Sequence, residues 1–296
     1  MSQLIKGKSL MTLFSIKRNL SMSLYFACAL LCSSVFAQPP EFDAKIVKQF
    51  DAYDAFQAVA VDANFFYAIS NGRLTQHDKD TGRAKQQSTE KSPANDPLIH
   101  LDSGVVVDGR LYAAHSNYPG WPMTSSIEVW EVATMRHIET HSFGVMLGSF
   151  TWLDRHNGSW WGTFANYDRV QRGMTDPYGE TRNTVMVQLD DDFQVLQSWS
   201  LPAEILRRMS PMSNSGGSWG SDGHLYLSGH DDPEFYVMAL PETGSELDWL
   251  ATIRLPGLNG QGIAWDRSVD GNTLWAILRS TRQVLKIEMP VLPDLK

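Results

Sequence analysis

One short phrase returns five times along this chain: a small residue, a few apolar residues, an Asp, often a Gly, then a second apolar run. It occupies residues 58–69, 104–114, 149–164, 217–228 and 262–278. Its aspartates, Asp62, Asp108, Asp154, Asp222 and Asp266, stand 46, 46, 68 and 44 residues apart. A period of roughly 40–50 residues with several short strands per unit marks a β-propeller, because one blade cannot bury both faces of its sheet alone. The expected fold is all-β: a five-bladed β-propeller closed by the N-terminal strand of the mature chain.

Blade one reads as 57–61, 65–69, 73–77 and 83–89, and blades two to four repeat that count, with later runs more polar than earlier ones. That gradient fits inner strands that are buried and outer strands that face water. The fifth blade offers three runs only, 261–265, 273–278 and 283–288, and Lys45 to Phe50 is the natural donor of its missing outer strand. Such a pairing joins the two chain ends and leaves no open sheet edge at the seam. The wide interval between Asp154 and Asp222 is assigned to an insertion, 166–183, rich in Gly, Pro, Asp and Arg and expected to be a loop.

Ahead of the repeat, Lys6, Lys8, Lys17 and Arg18 precede an apolar stretch, 24–36, and Val35-Phe36-Ala37 offers a cleavage site. This reads as a signal peptide over 1–37, too short for a membrane span, with 38–296 as a single propeller domain in the periplasm or secreted. Both cysteines, Cys28 and Cys32, fall in the leader, so the mature chain is expected to lack disulfides and thiolate chemistry. Cleavage removes four cations and no acid, moving the formal net charge from −8 to −12. An acidic surface without a basic stripe excludes nucleic acid as a partner and leaves a small-molecule or carbohydrate ligand and a monomer as the expectation.

The aspartate turns are explained by hairpin geometry. The opposite face collects Gln57, His100 with Asp102 and Ser103, Asn214 with Ser215, and Gln261 before the inner strands, and Asn71, His115, His230 and Arg279 after the second strands. Polar side chains converging on a channel mouth under long loops form the default ligand site. His115 and His230 stand as the catalytic pair, for acid/base work or, with Asp232, for ligation of a divalent metal ion. The competing reading makes both histidines fillers of the upper channel. Gln57, His100, Asn117, Tyr118, Asn166, Tyr167, Trp219, Gln261 and Arg279 are the expected substrate contacts, the two tyrosines by stacking. No Gly-x-Ser-x-Gly elbow is present.

The phrases at 103–109, 114–119, 123–128 and 260–266 resemble a family of short secreted propeller proteins often labelled cycloisomerase. More distantly the chain is similar to lactonase and gluconolactonase propellers, whose axial metal ligands would fall here on Asn117, Asn166 and Asp232. The resemblance implies a hydrolase or isomerase, with or without a metal, acting on a small polar molecule such as a lactone or sugar derivative. The alternative is a non-catalytic propeller that binds carbohydrate, peptide or protein.

Overall fold

The computed structural model describes residues 38–88, 98–145, 147–170, 174–177 and 180–295. The expected leader, 1–37, and both cysteines lie outside them. Among the described residues no helix is long and apolar enough to cross a membrane.

Five antiparallel sheets follow one another in chain order. Blade one contains Ala58–Val61, Phe65–Ser70, Arg73–Asp78 and Ala84–Gln87. Its innermost strand is wholly buried and its outermost almost wholly exposed, the gradient the composition predicts. Blade two contains Leu101–Val107, Arg110–Ser116, Thr124–Glu131 and Arg136–Val145; blade three contains Ser149–His156, Ser159–Ala165, Val185–Leu189 and Val195–Ser200. Blade four is built on Gly216–Trp219, Leu225–Ser228, Glu234–Ala239 and Asp248–Arg254, and blade five on Ala264–Trp265, Thr273–Leu278 and Gln283–Glu288. The five innermost strands touch in a ring, blade five returning to blade one.

Closure follows the expected route. Lys45–Asp51 pairs antiparallel with Gln283–Glu288, from Lys45 opposite Glu288 to Asp51 opposite Gln283. Phe50 anchors it, with ring centroids 5.8 Å from Trp275 and 5.1 Å from Phe66, in the apolar layer between blades five and one. A second clasp was not foreseen: Glu41–Asp43 adds a parallel fifth strand to the outer edge of blade four.

Two local features correct the sequence reading. The interval between Asp154 and Asp222 contains a helix, Ala203–Met209, as well as the insertion. Glu204 sits in its first turn, Arg207 and Arg208 in its last, and Ile205, Leu206 and Met209 form a buried face on the tryptophan-rich layer between blades three and four. The blade-three turn is Asn157-Gly158, with φ of 47° and 75°, matching the two-residue hairpin at Asp108-Gly109, with 48° and 74°. Asp154 therefore lies inside a strand.

There it does more than shape a turn. Its carboxylate accepts from Ser218 Oγ at 2.9 Å and Trp219 N at 2.7 Å in blade four, and from Arg267 Nη1 and Nη2 at 3.0 and 2.6 Å beyond blade five's inner strand. Asp266 likewise receives Lys79 Nζ of blade one at 2.9 Å and Trp275 Nε1 at 3.0 Å. Among the described residues, the carboxylates of Asp62 and Asp222 bond only within their own blades, to Tyr67 and Tyr226 hydroxyls and to their own turns.

Candidate functional site

The two ends of the ring hold cavities of similar size. At the aspartate-turn end, about 270 Å³ is lined by Asp62, Asp154, Asp266 and Arg267 among others, and ion pairs with Arg267 and Lys79 neutralise Asp154 and Asp266 internally. At the other end, about 240 Å³ is lined by side chains from all five blades.

Connectivity dictates that convergence. Residues just before an innermost strand and just after a second strand emerge at the same end of each blade. Gln57 and Gln261 enter from before the inner strands of blades one and five; His100 and Asp102 come from the start of blade two's inner strand. Tyr118, Tyr167, His230 and Arg279 follow the second strands of blades two to five. Gln261 is held at a φ of 78°, a region costly for a residue with a Cβ. Its N–H donates to Gly229 O at 2.9 Å and its own carbonyl accepts Ser228 Oγ at 2.6 Å, so blade four fixes the strained turn in place.

At the floor of the cavity Gln57 Nε2 donates to Asn71 Oδ1 and lies 3.4 Å from His100 Nδ1. His100 Nε2 in turn lies 3.6 Å from Asp102 Oδ2. Asp102 is only 5 % exposed, and this oxygen has no hydrogen-bond partner. Burial pushes the Asp102 carboxyl well above the usual carboxylate range, with Arg279 opposing the shift. Burial also drives His100 down to about 3, assisted by the charges of His115, Arg279 and His230, so the ring is neutral at ordinary pH. The hydroxyl of Thr151, on blade three's inner strand, is a second buried polar atom without a partner.

Nearer the opening, His230 Nδ1 lies 2.6 Å from Asp231 Oδ1, which fixes the ring and leaves Nε2 as its other polar atom. Tyr118 meets Tyr167 edge to face at 5.2 Å and His100 at 4.9 Å. Arg279 stacks its guanidinium 3.8 Å from the Phe56 ring centroid.

Of the residues expected at the site, Gln57, His100, Tyr118, Tyr167, His230, Gln261 and Arg279 line this cavity, and five do not. His115, expected beside His230, is 5 % exposed inside blade two. Its Nδ1 meets Ser126 Oγ at 2.9 Å, its Nε2 accepts Ile99 N at 3.2 Å, and Glu128 lies 3.8 Å away. Asn117 braces its own loop through Thr124 N and Pro122 O, both at 2.9 Å. Asn166 ties the insertion to Asn183 O at 3.0 Å and Leu147 O at 3.4 Å. Trp219 lies toward the aspartate-turn end, stacked on His156 at 4.4 Å and against Trp161 at 5.0 Å.

Asp232 also stays off the lining, its carboxyl raised by burial and by Glu234 and Asp231. Among the described residues no three His, Cys, Asp or Glu side chains are grouped to hold a metal ion. The expected set of His115, His230 and Asp232 therefore does not assemble. Sequence reasoning passed over Thr151, Arg169 and Met212 as lining residues and did not choose Asp102 as a functional group. An acid at the start of a buried strand was the available signal for Asp102; Thr151 reads like any core threonine.

No family model matches the chain, and no curated protein matches it in sequence. Among solved structures it is similar in fold to three enzymes at low identity. The PQQ-bound aldose sugar dehydrogenase of Streptomyces coelicolor is 14% identical over 88% of this chain and 86% of that one, with a TM-score of 0.48. Luciferin-regenerating enzyme is 9% identical over 83% and 94%, with a TM-score of 0.48. The virginiamycin B lyase of Staphylococcus aureus is 9% identical over 84% and 100%, with a TM-score of 0.45.

Proposed function

We propose that the protein is an enzyme that moves a proton on a small polar molecule held at the channel mouth, as a hydrolase or isomerase. One observation carries the reading: the Asp102 carboxyl is buried at the cavity floor with Oδ2 unbonded and burial favouring its neutral form. A carboxyl that burial biases toward its protonated form is a proton donor in waiting, and leaving its oxygen without a hydrogen-bond partner costs folding free energy. Neutral His100, 3.6 Å away, is placed to orient that acidic proton through a ring nitrogen while itself staying uncharged. His230, oriented by Asp231, supplies a second proton-transfer group at the opening, and Arg279 faces negative charge that develops on the substrate. The likeness to propellers labelled cycloisomerase, and the more distant one to lactonases, fits this chemistry. Export to the periplasm or beyond belongs to the same reading.

The test is turnover in deuterated water. Lactones, hydroxy acids and keto sugars are incubated with the protein and followed by proton NMR. Ring opening, isomerisation or solvent exchange is expected with the native protein and loss of it with Asp102→Asn, while Asp222→Asn at the far end retains it. Compounds that bind without any change would instead favour the carbohydrate-binding reading, for which the edge-to-face pair Tyr118 and Tyr167 is the specific support. An Asp102→Asn protein with the native rate would overturn the catalytic role.

A further inference from the structure

The mouth is a cationic spot on an acidic protein. The chain as a whole carries −8, yet Arg279 and Arg169 line the cavity. Arg279 shares the Phe56 ring with Arg282, whose guanidinium lies 4.1 Å from the same ring centroid. Two guanidinium groups on one ring repel, and a negative charge beside them relieves that repulsion. Among the described residues no carboxylate lies within ion-pair distance of Arg279. Of the acids that face it, Asp231 is engaged by His230 at 2.6 Å, and Asp102 is kept toward its neutral form by burial. The fold thus presents a half-buried cation to the cavity and leaves its counter-charge to come from outside.

We propose that the mouth cavity recognises its ligand through a carboxylate held by the guanidinium of Arg279. This rests on the cavity's being a small-molecule site and narrows the class of molecule. A planar fork of N–H donors matches a carboxylate with two parallel hydrogen bonds, which a neutral amide cannot reproduce. Of the two lining arginines Arg279 is half-buried and Arg169 exposed, so one negative charge is matched in the interior, and a phosphate's second charge would press on Asp231. The unpartnered Thr151 hydroxyl and Asp102 oxygen serve the uncharged remainder of the ligand, and the tyrosine pair flanks its flat part. At about 240 Å³ the space falls below the roughly 300–1,000 Å³ typical of sites for drug-sized ligands, as suits a compact organic acid.

Calorimetric titration with benzoate, benzamide and phenyl phosphate separates the cases. Benzoate is expected to bind at least tenfold more tightly than benzamide, by about the range that one charge-assisted hydrogen bond contributes. Arg279→Gln should weaken benzoate about ten- to hundredfold and leave benzamide unchanged, and Arg279→Lys should fall between. Circular dichroism and melting show whether each variant is folded, and Arg279→Lys stands in if the glutamine variant is not. Equal affinity for benzoate and benzamide, or native benzoate affinity in a folded Arg279 variant, overturns the proposal. Tighter binding of phenyl phosphate overturns the carboxylate assignment. These readouts need no turnover: benzoate held through Arg279 by a protein inert in deuterated water would sink the catalytic reading alone. Turnover of neutral compounds untouched by Arg279→Gln would sink this one alone.

Discussion

Replacing Asp154 with Ala should destabilise this protein far more than the same change at Asp222, although both belong to the same repeated phrase. The Asp154 carboxylate is 1 % exposed as a residue and joins three blades. Its loss leaves Trp219 N and one hydrogen bond of Ser218 Oγ unsatisfied in a buried layer, at about 1–3 kcal/mol each. It also strands Arg267, whose side chain is 36 % exposed and can turn partly to water, so that contribution is smaller. The total is about 3–5 kcal/mol, the range for removing one partner of a buried pair. For a domain of this size that corresponds to a fall in melting temperature of about 6–20 °C. Asp222 bonds only its own turn and the Tyr226 hydroxyl and is partly exposed, so Asp222→Ala should cost about 1 kcal/mol, the usual worth of such a bond. Tryptophan fluorescence during guanidinium and thermal unfolding measures both. Equal losses in the two variants would refute the view that Asp154 fastens blades together.

Three further perturbations have defined outcomes. Asp102→Asn should gain stability relative to the native protein as pH rises from about 4 toward the raised value of the folded carboxyl. The unfolded carboxyl ionises near its ordinary value of 3.8 while the folded one, raised by burial, resists, so native stability falls over that window; a pH-independent difference in melting temperature would count against it. Asp54 behaves oppositely: despite burial, hydrogen bonds from Arg73, Thr75 and Gln87 hold its carboxyl below 3.8, so the stability it adds is complete above that pH and is lost as acid protonates the folded form. Asp54→Asn should accordingly flatten the acid limb below pH 4 in a melting series. Phe50→Ala removes the anchor of the closing strand and should cost about 3–5 kcal/mol, with hydrogen exchange rising first in 45–51 and 283–288; exchange spread evenly over all blades would contradict that seam.

The ring was legible because its signal is periodic and its seam is arithmetic: four blades with four runs, one with three, and one spare strand at the other end. The site was legible as a face. What misled was strand length. If blade two's second strand ended at Ala114, His115 would stand in the mouth loop as His230 does. The strand continues to Ser116, and that extension keeps His115 inside the blade, paired opposite Leu101. In blade four the strand stops at Ser228, so Gly229 lets His230 swing to the opening. Thr151 and Asp102 sit within buried strands, where a functional polar residue and a satisfied structural one share the same sequence pattern. Only the three-dimensional accounting of hydrogen-bond partners tells them apart.

The fifth blade takes three strands from one end of the chain and its fourth from the other, with Lys45 opposite Glu288. Its assembly must therefore await the synthesis of residues 283–288, and a contact between segments so far apart in sequence carries a large loop-closure entropy. A circular permutant that joins the ends of the propeller and opens the chain at the Asn157-Gly158 turn, at the end away from the mouth, would turn that distant pairing into a local hairpin. It should keep the ring and its mouth unchanged while folding faster than the native order does.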